Sequence, residues 1–252
     1  MDFSRYHAFR RATVAGLFIA CLAAPAFAND NPGYDRPGLG FAPAVLQAGA
    51  VTWEQGLPDW SRAADGSSLY SADSLLRIGV GGPLELQLGS SYNRLDQQGM
   101  HRYGRGGSSL GLKFALPAHG AVSWGLLGSV GFTDGAAAFR NPRRDYLLGA
   151  DIAWQRSTRN ALGAYVENVR SGGRDSRLLA LNDGYAITPT LSAYVEAAWQ
   201  YQAGAGAGSM AGAGLAWLVT PRVQLDGSFR HRLQGQADTW EAGFGVSIYF
   251  GH

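Results

Sequence analysis

Cysteine is nearly missing from this chain of 252 residues: Cys21 is the only one. It lies inside a stretch with the marks of a secretory leader. Arg5, Arg10 and Arg11 open it, an apolar run spans Ala12 to Ala24, and Ala26-Phe27-Ala28 offers small residues before Asn29. That order predicts export with cleavage after Ala28. A lipoprotein cysteine at Cys21 is the competing reading, with Phe18 a poor residue three positions before it. Without Met1–Ala28 no cysteine remains, which excludes disulfides and thiolate metal sites. An excess of charge is also lacking. Of 21 basic and 19 acidic residues, the leader takes Arg5, Arg10, Arg11 and Asp2, leaving 18 of each. A near-neutral chain offers no basic stripe for phosphates, so nucleic acid is excluded as a partner. Lysine occurs once, at Lys113. Past the leader no apolar run reaches 18 residues, which excludes membrane-spanning helices.

Glycine is abundant, 36 residues, with 7 Trp and 11 Tyr. The apolar residues alternate. Leu84, Leu86 and Leu88 face away from Glu85 and Gln87; Leu191, Ala193, Val195, Ala197 and Trp199 face away from Ser192 and Glu196; Trp240, Ala242, Phe244, Val246, Ile248 and Phe250 oppose Glu241 and Ser247. Period two means strands with one apolar and one polar side. Twelve such segments centre near residues 49, 74, 88, 112, 127, 151, 165, 181, 196, 214, 226 and 245. Their spacing, about 19 residues, suits tilted strands of roughly 9–11 residues plus a connection.

Short turns at 81–83, 117–120, 157–160, 188–190 and 220–222 alternate with mostly longer connections at 55–67, 95–107, 133–144, 171–175, 202–209 and 233–238. Sorting short turns to one end and loops to the other is a property of outer-membrane barrels. The polar set contains Arg77, Glu85, Lys113, Asp151, Glu167, Glu196, Asp226, Arg230 and Glu241. Burying those charges in a soluble core while exposing twelve strands of Leu, Val, Trp and Phe would be costly. The expected fold is therefore an all-β, antiparallel up-and-down transmembrane barrel of about 12 strands, with apolar residues toward lipid. Tyr70, Tyr92, Phe132, Tyr146, Trp199, Tyr201 and Trp240 fall near one rim, and Trp124, Trp154, Trp217 and Phe250 near the other, as interfacial belts do. Three places fit poorly. Asp183 shares the lipid-facing parity of Leu181 and Tyr185 unless a bulge at Gly184 intervenes, strand 1 (Val45–Gln55) has no clean period, and strand 10 (Ser209–Val219) is mostly Gly and Ala. The expected layout is a signal peptide over 1–28, a periplasmic segment over 29–43 and the barrel over 44–252.

Asp35-Arg36-Pro37-Gly38, Leu75-Leu76-Arg77-Ile78-Gly79-Val80 and Leu84-Glu85-Leu86 together resemble the transporters of the MetA pathway of phenol degradation, exported barrels found beside aromatic-degradation functions. That family commonly carries a Glu in its first strand near the position held here by Ala48. The resemblance implies an outer-membrane channel or uptake component for small organic molecules. The last strand also resembles those of outer-membrane proteins, whose terminal aromatic is read by the barrel-assembly machinery; here Gly251-His252 follow Phe250.

The functional expectation is a monomeric channel in the Gram-negative outer membrane, passing small organic solutes, aromatic ones among them, passively through a charge-lined lumen. Arg77, Glu85, Lys113, Asp151, Glu196, Asp226, Arg230 and Glu241 are the expected solute pathway. Such charges either select solutes, as rings of charge do in pores, or form an ion-pair network that fills a narrow barrel. The basic loops, with Arg102, Arg105, Arg140, Arg143 and Arg144, support an alternative: a non-conducting barrel that binds lipopolysaccharide or a partner protein through guanidinium groups. The Gly-Ala run 203–208 reads as a flexible connection, since it lacks the lysine of a phosphate loop. His231 is the best general-base candidate for lipid hydrolysis, but Ser228 has the opposite parity and no other serine is placed beside it. No catalytic activity, metal or cofactor is expected. The expected partners are outer-membrane lipid, lipopolysaccharide, the assembly machinery and the solute.

Overall fold

The computed structural model describes residues 31–251. The leader, Cys21, the Ala28 cleavage site and His252 lie outside the described residues. Antiparallel strands form one closed sheet with twelve staves. The first stave is broken into β1 (Val51–Gly56) and β2 (Asp59–Arg62), and β3 (Ser68–Gly81) and β4 (Leu84–Gln97) follow. The fourth stave is also broken, into β5 (Met100–Arg105) and β6 (Ser109–Ala115). The remaining eight are β7 (Val122–Gly131), β8 (Asp145–Gln155), β9 (Asn160–Ser171), β10 (Arg174–Ala186), β11 (Leu191–Gln202), β12 (Gly206–Thr220), β13 (Val223–Gly235) and β14 (Trp240–Phe250). Pairing of Val51 with Phe250 through Gly56 with Gly245 closes the wall. Leu57-Pro58 separates β1 from β2, where proline has no N–H to donate to a ladder.

Every short turn expected from the sequence is a turn. The opposite end differs, because the expected longer connections are largely strand. β3 and β4 have 14 residues each and β12 has 15, more than the roughly 9–11 that cross a bilayer. The excess overhangs at one end and closes in tight hairpins. Between β9 and β10 the whole connection is Gly172-Gly173, at φ 57° and 80°, a left-handed pair that matches the strand twist. Residues 132–144 are the one long irregular connection in the described barrel. They fold back on β5: Ala136 N donates to Arg105 O and Phe139 is buried.

The wall is inside-out. Val195 and Phe244 are 59% and 67% exposed, whereas Arg77, Glu85 and Lys113 are completely buried. Trp124, Trp154, Trp217 and Phe250 stand on the outer surface near the short turns, with Tyr92, Tyr146, Trp199 and Trp240 near the overhanging end. Asp183 keeps the lipid-facing parity, because β10 runs in unbroken register against β9 and β11 and no bulge turns the residue inward.

Strand 1 is displaced from its expected place. The chain becomes a strand at Val51, and Leu46 and Ala50 are buried beside Tyr34 and Tyr249. Everything from Tyr34 to Leu46 lies inside the barrel, including most of the segment expected to be periplasmic. Tyr34 Oη donates to Arg222 O at the short-turn end, 2.6 Å away. The chain then climbs to Leu39, whose N–H reaches Glu196 on β11 at 3.0 Å, and returns so that Leu46 N–H meets Glu85 on β4 at 3.0 Å. Glycines on the inner wall make the room. A Cβ on Gly79 would lie 1.9 Å from the Gln47 carbonyl oxygen, and one on Gly245 would lie 2.1 Å from Arg36 Nε.

Candidate functional site: the plugged lumen

The interior is organised around this inserted segment, residues 34–46. At its base Arg77 forks onto Glu85, with Nε 2.8 Å from Oε1 and Nη2 2.9 Å from Oε2. Arg77 Nη1 reaches Glu54 at 2.9 Å, Asp35 at 3.2 Å and the Gly33 carbonyl at 3.0 Å. Lys113 Nζ lies 3.1 Å from both Asp35 and Glu85 and 3.4 Å from Ala42 O. Glu54 accepts the N–H groups of Asp35 and Arg36. Two cations and three carboxylates are thus joined by direct contacts. A buried charge survives only when paired in this way.

Higher in the lumen, Arg36 bridges two walls. Its Nη1 and Nη2 each lie 2.9 Å from an oxygen of Asp59, and its Nε lies 3.2 Å from Asp226. Its carbonyl accepts from Gln224, and the Pro37 carbonyl accepts from Tyr194 Oη at 2.7 Å. Asp151 accepts from Phe41 N–H at 3.1 Å, and Glu196 joins Leu39 to Arg230, which in turn meets Glu241 at 3.2 Å. Of the eight residues expected to line a solute pathway, six bind the inserted segment directly: Arg77, Glu85, Lys113, Asp151, Glu196 and Asp226. Arg230 and Glu241 reach it through Glu196.

Glu54, Asp35, Arg36 and Asp59 were absent from the expected solute pathway. Glu54 supplies a buried first-strand carboxylate six positions beyond Ala48, once β1 is set at Val51. Asp35 and Arg36 carried a signal, an acid-base pair beside Pro37-Gly38, but nothing local shows that it turns into the lumen.

The far side of the interior carries an apolar patch beside the carboxylates of Asp151, Glu167 and Glu196. Leu127, Leu147, Val169, Leu178 and Met210 point inward from β7 to β12 and pack with Phe41 and Tyr165 into one apolar cluster. Phe41 stands edge-on to Tyr165, with ring centroids 5.9 Å apart. Between this patch and the charged groups, above the inserted segment, remains a cavity of about 100 Å³ lined by Leu39, Leu178, Met210, Arg36, Arg230 and Glu241 among others. Asp238, in the β13–β14 connection, lines its mouth; burial pushes its carboxyl up to about 7.

The basic loop residues do not converge. Arg105 is held by Asp134 at 3.1 Å, Arg144 lies over the Phe132 ring at 5.7 Å, and Arg143 packs at Gly172. Arg102 and Arg140 are exposed. Asp134 also accepts the Ser108 N–H and hydroxyl, each at 2.8 Å. That backbone bond first, with the hydroxyl and Arg105 behind it, holds its carboxyl down to about 2. His231 lies against Trp240, ring centroids 4.2 Å apart, on the outer surface. Among the described residues no cluster of three metal-ligating side chains occurs.

No protein-family model matches the chain, and no curated protein matches it. Its fold is shared with solved outer-membrane barrels. The COG4313 outer membrane channel from Pseudomonas putida F1 is 15% identical, with a TM-score of 0.62 over 82% of this chain and 97% of that one. The KdgM porin in complex with disordered oligogalacturonate is 10% identical, TM-score 0.58, over 80% and 99%. The NanC porin is 8% identical, TM-score 0.54, over 80% and 100%. At these identities the likeness concerns the fold: a closed, antiparallel barrel of the outer-membrane type.

Proposed function

We propose that this chain is an outer-membrane channel through which small organic solutes pass downhill, and that residues 34–46 form a plug that shifts to open the path. The supporting observation is the manner of attachment. Side-chain hydrogen bonds and ion pairs to Glu54, Arg77, Glu85, Asp151, Glu196 and Asp226 hold the plug to the wall, and water can replace these when it moves. A lumen with an apolar patch set among charged groups suits a solute of mixed character, such as a small aromatic ring bearing a polar group. No phosphate loop or other energy-coupling motif stands in the sequence, which is why the flux is downhill. The resemblance to phenol-pathway transporters and the channel fold point the same way. A loop-binding, non-conducting role has less support, because Arg105 is already neutralised by Asp134.

Planar-bilayer recording tests the proposal. The full mature chain is expected to give small, brief steps. Removal of residues 31–44 is expected to give larger, long-lived steps whose ion selectivity changes with Arg230→Ala. A shortened barrel that folds and inserts yet leaves the bilayer as tight as a protein-free one would end the channel reading.

A further inference from the structure

Asp183 belongs to neither the plug nor the lumen. It is exposed on the outer surface of β10, three residues from the end of the strand on the short-turn side. Leu162 and Val195 are its neighbours on β9 and β11. Whereas the interior carboxylates Asp35, Glu85, Glu196 and Asp226 face an ammonium or guanidinium, Asp183 meets an uncharged group, the Asn160 side-chain amide, at one carboxylate oxygen. A carboxylate on a lipid-facing wall is tolerated near the interface and far less at the midplane. Roughly 10 Å of strand separates it from the strand end, at about 3.3 Å per residue, which puts it at headgroup level.

Asp183 also stands at one end of a groove on the wall, with a volume of about 1210 Å³. The groove exists because Ala213 on β12 and Gly227 on β13 present almost no side chain outward, while Val195, Leu215, Phe229 and Phe244 rise around them. Its floor is apolar, and its polar groups gather at the short-turn end, where Asp183, Asn160, Thr188 and Thr190 line it. One apolar trough ending in a carboxylate and hydroxyls is complementary to a molecule with a hydrocarbon tail and a cationic head.

We infer that this groove binds a phospholipid with a primary ammonium headgroup, an ethanolamine phospholipid of the inner leaflet, the side on which outer-membrane barrels carry their short turns. One acyl chain lies over Ala213 and Gly227, and the ammonium donates to the Asp183 carboxylate. A quaternary choline has no N–H to donate, and a glycerol phospholipid brings net negative charge toward Asp183, so both bind less well. The site stands whether or not the lumen conducts.

The test is native mass spectrometry of the mature barrel released from vesicles with equal ethanolamine, choline and glycerol phospholipids of one chain length. The wild-type barrel is expected to retain the ethanolamine lipid about tenfold over the glycerol lipid, the ratio of one charge-assisted hydrogen bond. Asp183→Asn is expected to bring the ratio near one, while Asp175→Asn, at the opposite end of β10, leaves it as it was. Ala213→Trp, which fills the trough, is expected to lower retention of all three lipids. Equal retention by the wild type, an unchanged ratio in Asp183→Asn, loss of the ratio in Asp175→Asn, or undiminished retention by Ala213→Trp would each overturn the inference. Folding of every variant is checked by the shift in gel mobility on heating.

Discussion

Arg36→Ala separates the plug from the wall without touching the wall itself. The guanidinium makes a two-pronged pair with Asp59 at 2.9 Å and a third bond to Asp226 at 3.2 Å. Asp226 is only 6% exposed, so with the plug seated and Arg36 gone its charge has no cation. Removing one partner of a buried pair costs about 3–5 kcal/mol. Asp59 is partly exposed, so the low end, about 3 kcal/mol, is the better figure. The cost falls on the seated state alone. With the plug out, residue 36 is in water in either protein and both aspartates are hydrated. The ratio of unseated to seated plug is therefore expected to rise about a hundredfold, since 1.4 kcal/mol is a factor of ten. Single-channel recording reads this as open probability. A cysteine at Gly38 gives a second readout, because residues 29–252 hold no other thiol: its modification by a water-soluble reagent should accelerate by a similar factor in the Arg36→Ala background. Unchanged open probability together with unchanged labelling would refute the reasoning, since it would mean that the ion pairs do not hold the plug.

Three further outcomes follow from the same structure. Phe244→Arg, at mid-strand on the outer surface of β14, is expected to destabilise the barrel in lipid by about 2–4 kcal/mol, read by urea unfolding in vesicles; a change near zero would place β14 away from the bilayer core. Asp134 has its carboxyl held down to about 2, below its ordinary value, so its hold on residues 132–144 is complete above pH ~4 and is lost as pH falls through about 2. Proteolysis of that loop by an acid protease should become rapid over that window, and Asp134→Asn should be cut at pH 5 as the wild type is at the acid end. Asp238 is displaced the other way, to about 7 by burial. Its contribution to stability is complete below pH ~4, declines as pH rises toward 7, and is flat above. Asp238→Asn should therefore flatten the thermal-stability profile between those limits, and an identical slope in the variant would contradict the assignment.

How far the fold could be read from the residues depended on whether a force acts along the strand or across the barrel. Period two is local: Leu84 and Glu85 report opposite faces by adjacency alone, so the number of staves, the lipid-facing surface and the inward charges were all legible. Even the misfit was real, for Asp183 does face outward. The plug was not legible, because nothing between Tyr34 and Leu46 has a period, and its order comes from partners far along the chain. Arg36 waits for Asp226, 190 residues away, and Phe41 for Asp151, 110 away. Strand 1 was misplaced for the same reason: Leu46 and Ala50 look like wall residues but are buried against Tyr34 and Tyr249 inside.

Yet the interior charges held a clue that balance alone makes visible. Strand by strand, the expected lumen set contained Glu85, Asp151, Glu167, Glu196, Asp226 and Glu241 against Arg77, Lys113 and Arg230. Six carboxylates and three cations in a narrow tube need either water, protons or further donors. The structure supplies donors: the guanidinium of Arg36, whose charge the carboxylate of Asp35 cancels, and the backbone N–H groups of Leu39, Phe41 and Leu46, each brought in by the N-terminal segment. An excess of acceptors on the inner face of a barrel is thus a sequence-level sign that another stretch of chain, rich in free N–H groups and carrying a cation, completes the lumen. Applied to this sequence it selects the residues before strand 1, where Asp35-Arg36-Pro37-Gly38-Leu39-Gly40 offers a guanidinium and a run of backbone N–H groups.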